Sequence, residues 1–225
     1  MAIWTFVRHG QSEANRARRF AGHIDAPLSE LGVAQARAAR GLLREIPFDR
    51  VLTSDLARAR DTARILCDGF DVPIEARPAL RERHCGVYEG RPYADAEVSG
   101  DMARCFHAFD VRPEGGESLA DVAARTLKEL RRYAGDGGLL VVCHGALMRA
   151  VVGVLDGIEP ARVGLYAPRN LEFITRRVDR SQVAEAIARM GPAWGDRLAA
   201  ERGPSSGVDR ARPLRPWAPD AQAGG

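Results

Sequence analysis

Lysine is almost missing from this chain: Lys128 is the single Lys in 225 residues, and the other basic side chains are Arg. The net charge is only +3, too small to suggest nucleic acid as a partner. Genome composition accounts for most of the Arg. Arg placed near a pocket would mean more, because its planar fork of donors matches phosphate. Cysteine is scarce. Cys67, Cys85, Cys105 and Cys143 form no CxxC pair and have few His nearby, so no zinc site is expected. They read as free thiols, and a cytoplasmic setting is expected. Long hydrophobic runs are missing as well. No stretch approaches the roughly 18 apolar residues of a membrane span, and Met1 leads into Ile3 to Val7 without a basic leader. There is no internal repeat. Neither a membrane nor nucleic acid is an expected partner.

What is present suits one α/β domain with a sizeable core: 45% of residues are apolar and 28% are charged. Residues 2–7 form a short apolar run that stops at Arg8-His9-Gly10 and predict a buried strand. Ser29 predicts a helix cap, with Leu31, Ala34, Ala38 and Leu42 on the inward face until Pro47. Residues 50–53 predict a second strand. Ser54 or Asp55 would cap the following helix, with Leu56, Ala59, Ala63 and Leu66 inward. Residues 72–76 predict a strand and 119–133 a helix. Residues 139–143, Leu-Leu-Val-Val-Cys, form the clearest buried strand. A helix follows from Gly145 through Leu155, then a strand over 171–178 and a helix over 181–200, broken at Gly191-Pro192. The expected fold is a three-layer α/β sandwich, with a mostly parallel central sheet and helices on both faces. It occupies residues 1–200, and the Gly-, Pro- and Arg-rich residues 201–225 read as a disordered tail.

In such sheets ligands bind beyond the carboxyl ends of the strands. His9 follows the first strand, His144 follows the strongest one, and Arg58 opens the helix after the second. Each residue alone says little. Together they match the needs of phosphoryl transfer: an in-line nucleophile, positive charge on the equatorial oxygens and an acid for the leaving oxygen. Neutral imidazole at His9 can attack phosphorus. Arg8, Arg58 and His144 can hold the oxygens, and Glu82 can donate and retrieve the proton.

The order of motifs is more specific still. Phe6-Val7-Arg8-His9-Gly10-Gln11-Ser12-Glu13-Ala14-Asn15 resembles the signature of the histidine phosphatase superfamily, the phosphoglycerate mutase-like proteins. Residues 22–32, residues 54–63, Leu80-Arg81-Glu82 with Gly86 and Glu89-Gly90, residues 115–119, and Val142-Cys143-His144-Gly145 resemble its later blocks in order. The resemblance spans about residues 3–178. It implies that His9 is phosphorylated, that Arg8, Arg58 and His144 hold the phosphoryl group, and that Glu82 is acid and base. It also implies that Gly145 admits a backbone N–H, that Asn15 lies at the mouth of the site, and that neither metal nor cofactor is used.

Substrate identity is less legible. Glu82-Arg83-His84 resembles the mutase branch, where Tyr follows; here Cys85 does. Mutases carry a longer insert with an Arg pair for the substrate carboxylate, whereas residues 91–114 are short and lack one. The expectation is therefore a phosphatase of small phosphorylated metabolites, with His23, Arg83 and His84 contacting substrate. Tyr93 and Arg104 read equally well as surface residues. A mutase, or a phospho-ligand-binding protein with weak turnover, is the alternative. Cys143 and Arg149 show the Cys-x5-Arg spacing of cysteine-dependent phosphatases, but Val142 replaces the His that should precede the thiol.

Overall fold

The computed structural model of the chain describes residues 1–98, 100–135 and 137–190; the expected tail at 201–225 and the end of the expected domain lie outside them. The strands are β1 (Ala2–Arg8), β2 (Arg50–Thr53), β3 (Ile74–Ala76), β4 (Gly138–Cys143) and β5 (Phe173–Val178). They form one sheet in the order β3-β2-β4-β1-β5. The pairs β1–β4, β2–β4 and β2–β3 are parallel, and β5 runs antiparallel to β1 at the edge. This is the mixed sheet of an α/β fold.

The helices are α1 (Glu13–Arg16), α2 (Glu30–Ala39), α3 (Ala57–Leu66), α4 (Tyr93–Val98), α5 (Gly100–His107), α6 (Leu119–Leu130), α7 (Gly145–Leu155), α8 (Pro160–Val163) and α9 (Arg180–Arg189). β4 is buried along its whole length, so its residues alternate between two cores. Leu139, Val141 and Cys143 join Trp4 and Phe6 beneath α6, α7 and α9. Leu140 and Val142 join Val7 and Val51 beneath α2 and α3. Period-two alternation on a sheet covered on both faces gives the three layers directly. Each fully buried side chain of the Phe6 or Leu139 type adds about 1.5–3 kcal/mol.

Local chemistry explains the helices. Ser118 accepts from the Asp121 N–H, and Asp121 answers the Ser118 N–H, a reciprocal cap that starts α6. Leu119, Val122, Ala123, Thr126, Leu127 and Leu130 then bury one stripe. α7 is buried nearly all round because it lies between the sheet and its helical neighbours.

Three expectations need correction. α2 does not bury Leu31, Ala34, Ala38 and Leu42: Leu31 and Leu42 are exposed, and Gly32, Ala36, Ala39 and Leu43 face inward. The reason is close approach, since a Cβ on Gly32 would lie 2.0 Å from the Gln11 carbonyl oxygen. The residue without a side chain, rather than the largest apolar one, sets that face. Neither Ser54 nor Asp55 caps α3. Instead Asp25 accepts the Ala57 N–H at 2.6 Å, while Asp55 holds Arg81 through two bonds of 2.8 and 2.6 Å. Residues 91–114, given no element by the sequence pattern, carry α4 and α5.

The α2 contact predicts that Gly32→Ala destabilises the chain by about 1–3 kcal/mol, because the added carbon overpacks against backbone. Urea unfolding at neutral pH reads this, and an unchanged midpoint would contradict the packing.

Candidate active site

The first two functional side chains are placed by strand register. β1 and β4 are parallel neighbours, with Arg8 opposite Cys143. His9 and His144 therefore leave the sheet side by side, and the His9 N–H donates to the Cys143 carbonyl at 2.9 Å. Their rings lie 5.1 Å apart at 63°. Both are buried, His9 at 3% exposure and His144 at 0%.

His9 Nδ1 sits 2.6 Å from the Gly10 carbonyl oxygen. A carbonyl only accepts, so Nδ1 carries the hydrogen and the lone pair resides on Nε2. Burial, then Arg58 and Arg8, hold this imidazole well below its usual value, and the Gly10 carbonyl opposes them. His144 is likewise lowered, by burial first and then by Arg58 and His9. Neither ring nitrogen of His144 has a protein partner.

The Gly10 N–H donates to Thr62 Oγ1, which donates to the Arg58 carbonyl. That chain ties the turn after β1 to the first residues of α3. Gly10 is required there: a Cβ would meet the Gly32 carbonyl oxygen at 2.6 Å. The Arg58 guanidinium is buried and donates to the Gly22 and Ile24 carbonyls at 2.8 and 2.9 Å. Arg8 donates to the Pro168 carbonyl, and its Nε has no partner. Gly145 lies beside it, and a Cβ there would sit 3.4 Å from Arg8 Nε, an ordinary contact.

Glu82 lies at the other side of the site. Its carboxylate accepts from the Arg83 N–H at 2.9 Å and from the Ala146 and Leu147 N–H groups at 3.3 Å each. The last two are unsatisfied donors at the start of α7, so Glu82 caps that helix from outside it. His144, the residue before α7, supplies no side-chain cap of its own.

Arg8, His9, Arg58, Glu82 and Gly145 line one cavity of about 670 Å³, together with Asn15, Arg83 and Tyr93. Asn15 is held by the Ser12 capping box at α1 and donates to the Tyr93 hydroxyl at 3.4 Å. Arg83 is buried, donates to the Cys105 carbonyl at 2.8 Å, and leaves Nε and Nη2 without partners.

His23 and His84, expected at the substrate, do not line the cavity. Their rings pack 4.8 Å apart, and His23 Nε2 donates to the Glu82 backbone carbonyl at 2.8 Å. The physical reason is Glu89. Its carboxylate accepts the N–H of both His23 and Cys85 and draws the two segments together behind the acid. Arg104 is exposed and off the cavity.

Sequence reasoning missed Arg149, Phe20, Phe106 and Asn170. Arg149 lies one helical turn beyond Gly145, so the i,i+4 spacing on α7 was the available signal. Asn170 donates to the His9 carbonyl at 2.8 Å from the loop before β5, and no spacing announces it. Cys143 faces the core beneath α6 and α7, not the cavity, and burial pushes its thiol up. A thiolate nucleophile there has no support. Among the described residues no group of three or more His, Cys, Asp or Glu is arranged to hold a metal ion, and no helix is long and apolar enough to cross a membrane.

The sequence model of the histidine phosphatase superfamily, branch 1, matches residues 4–187. The chain belongs to that superfamily. A 2,3-bisphosphoglycerate-dependent phosphoglycerate mutase of Methylobacterium radiotolerans is 43% identical over 175 residues, covering 72% of this chain and 82% of the relative. An adenosylcobalamin/alpha-ribazole phosphatase of Salmonella typhimurium is 36% identical over 161 residues, covering 69% and 79%. Among solved structures, mycobacterial glucosyl-3-phosphoglycerate phosphatase complexed with VO3 aligns with a TM-score of 0.71 at 32% identity, covering 77% of this chain and 91% of that one. The chain thus has both proteins named as phosphatases and proteins named as mutases among its relatives.

Two buried neutral imidazoles give this chain a characteristic acid response. The unfolded chain protonates each His below about pH 6.5, whereas folded His9 and His144 stay neutral to lower pH. Stability contributed by their neutral burial is full above the unfolded value and drains as pH falls towards the folded value, at up to about 1.4 kcal/mol per pH unit for each. Replacing His144 with Asn is predicted to make the decline between about pH 6.5 and pH 5 shallower. Urea midpoints across that range test it, and parallel slopes in the two proteins would contradict it.

Proposed function

We propose that this protein is a phosphoric monoester hydrolase working through a phosphohistidine at His9. The observation that carries the reading is the His9 tautomer. With Nδ1–H committed to the Gly10 carbonyl, Nε2 offers an unprotonated lone pair in a cavity it shares with Arg8, Arg58 and Glu82. Attack forms the Nε2–P bond and breaks the P–O bond to the leaving group. The Glu82 carboxyl proton passes to the departing oxygen. As the ring becomes cationic, its Nδ1–H bond to Gly10 strengthens. Arg8, Arg58 and His144 take up the charge of the equatorial oxygens in a buried setting, where fixed donors act most strongly. Water then attacks phosphorus, Glu82 takes its proton, the N–P bond breaks, and phosphate and neutral His9 are restored.

Mutase activity is the second reading, and the 43% identity to a protein named as a mutase favours it. Chain length does not separate the two. The mutase and phosphatase relatives are covered to similar shares, 82% and 79% of their lengths. Hydrolysis is preferred because Cys85 replaces Tyr beside Arg83-His84 and no Arg pair stands in 91–114. Incubation with 3-phosphoglycerate and 2,3-bisphosphoglycerate distinguishes them: phosphate release supports the hydrolase, and isomerisation without net release supports the mutase.

His9→Ala is predicted to abolish both turnover and acid-labile labelling of the protein by a phosphate donor. Labelling that survives would place the nucleophile elsewhere. Glu82→Gln is predicted to slow hydrolysis of alkyl phosphates by about 10²–10⁴-fold, and of p-nitrophenyl phosphate much less, because only the poorer leaving group needs the proton. Equal losses for both substrates would remove Glu82 from that role.

A further inference from the structure

The cavity of about 670 Å³ extends well past a phosphate, and its far wall is aromatic: Phe20, Tyr93 and Phe106 line it. The Phe20 and Phe106 rings stack at 4.1 Å and 11°, and Tyr93 meets Phe20 edge-on at 4.6 Å and 64°. The three rings come from separate segments, and each is anchored through backbone. The Phe20 N–H donates to the Arg91 carbonyl at 3.0 Å, the Tyr93 N–H to the Arg18 carbonyl at 2.8 Å, and Arg149 Nη2 to the Phe106 carbonyl at 2.9 Å. The Arg83 guanidinium lies 4.8 Å over the Phe106 ring. A wall held this way is preorganised for a ligand.

Hydrogen-bond acceptors at that end are few, and the unpartnered polar groups there are guanidinium donors, Nε and Nη2 of Arg83 and Nε of Arg149. The Tyr93 hydroxyl takes the Asn15 amide, His107 Nδ1 bonds the Gly164 carbonyl, and Arg149 donates to the Gly164 and Phe106 carbonyls. Glu82 is the carboxylate on the lining, and backbone N–H groups already occupy it. A polyhydroxylated leaving group would bring hydroxyls with few acceptors to meet, and each unpaired hydroxyl counts against it. A flat apolar leaving group meets rings instead.

We propose that the Phe20–Tyr93–Phe106 wall selects phosphomonoesters whose leaving alcohol carries an aromatic ring. The proposal rests on the hydrolase reading and names its substrate class. The test compares benzyl phosphate with glycerol 1-phosphate, glucose 6-phosphate and 3-phosphoglycerate by phosphate release from the full chain. All four lose an alkoxide, so the ratio of kcat/KM reads the wall rather than the leaving-group chemistry. Benzyl phosphate is expected to exceed the others by about 30-fold, within the range apolar pockets achieve. Phe106→Leu is expected to lower that ratio by about 10-fold, chiefly through KM, whereas Phe106→Trp retains it. Calorimetry with benzylphosphonate and methylphosphonate reads the same preference without turnover. Equal kcat/KM across the panel, a preference for 3-phosphoglycerate or glucose 6-phosphate, or a ratio unmoved by Phe106→Leu overturns the proposal while leaving the hydrolase intact. No phosphate release from any ester, with benzylphosphonate still binding more tightly, overturns the hydrolase reading and keeps the aromatic site.

Discussion

The parallel pairing of β1 with β4 sets Arg8 opposite Cys143, and the residues that follow, His9 and His144, emerge together at one sheet edge. A strand has a side-chain period of two, so slipping the pair by one residue would turn one imidazole towards the opposite layer. The register is protected by burial on both faces. Val7 and Val142 must reach the core beneath α2 and α3, while Phe6 and Val141 must reach the other. Hydrophobic packing far from the cavity therefore positions the two rings.

Around that pair the fold solves an electrostatic problem. Arg8, Arg58 and His144 are gathered where water is scarce, and buried guanidinium groups need acceptors. Backbone carbonyls supply them: Gly22 and Ile24 for Arg58, Pro168 for Arg8. Among the described residues neither Arg8 nor Arg58 forms an ion pair, and Glu82 and Asp25 act on Arg58 only through longer-range attraction. Burial first, and then Arg58 and Arg8, hold the His9 imidazole well below its usual value. The one acid at the site, Glu82, is steadied by the start of α7 and by its own neighbour's N–H, with His23 and Arg125 both donating to its backbone carbonyl from behind. Two guanidinium groups, the His9 imidazole and the Glu82 carboxylate thus line one cavity.

The sheet and most of its helices were legible in the chain. Leu139 to Cys143 announces a buried strand through unbroken apolar character, and Gly145 to Leu155 announces a buried helix in the same way. Arg8, His9, Arg58, Glu82, His144 and Gly145 were singled out from their places after strands and in ordered motifs; the fold sets all but His144 on one cavity, and His144 lies buried against the His9 ring. The misreadings share a cause. The inward face of α2 was judged by apolar side chains, when backbone contact at Gly32 decides it. The α3 cap was sought beside the helix, when Asp25 supplies it from an earlier loop. His23 and His84 were assigned to substrate, when Glu89 pulls their backbone behind the acid.

By itself, the sequence determined most of the elements and singled out the side chains whose chemistry could matter. Both are properties of local pattern: periodic apolar residues demand burial, and a nucleophile, cations and an acid are recognisable by type. The tertiary structure alone decided the His9 tautomer, the cap on Glu82 and the aromatic wall of Phe20, Tyr93 and Phe106. Each of these arises where segments distant in the chain meet, at distances that backbone hydrogen bonds and close packing set, and no one-dimensional pattern encodes such a meeting.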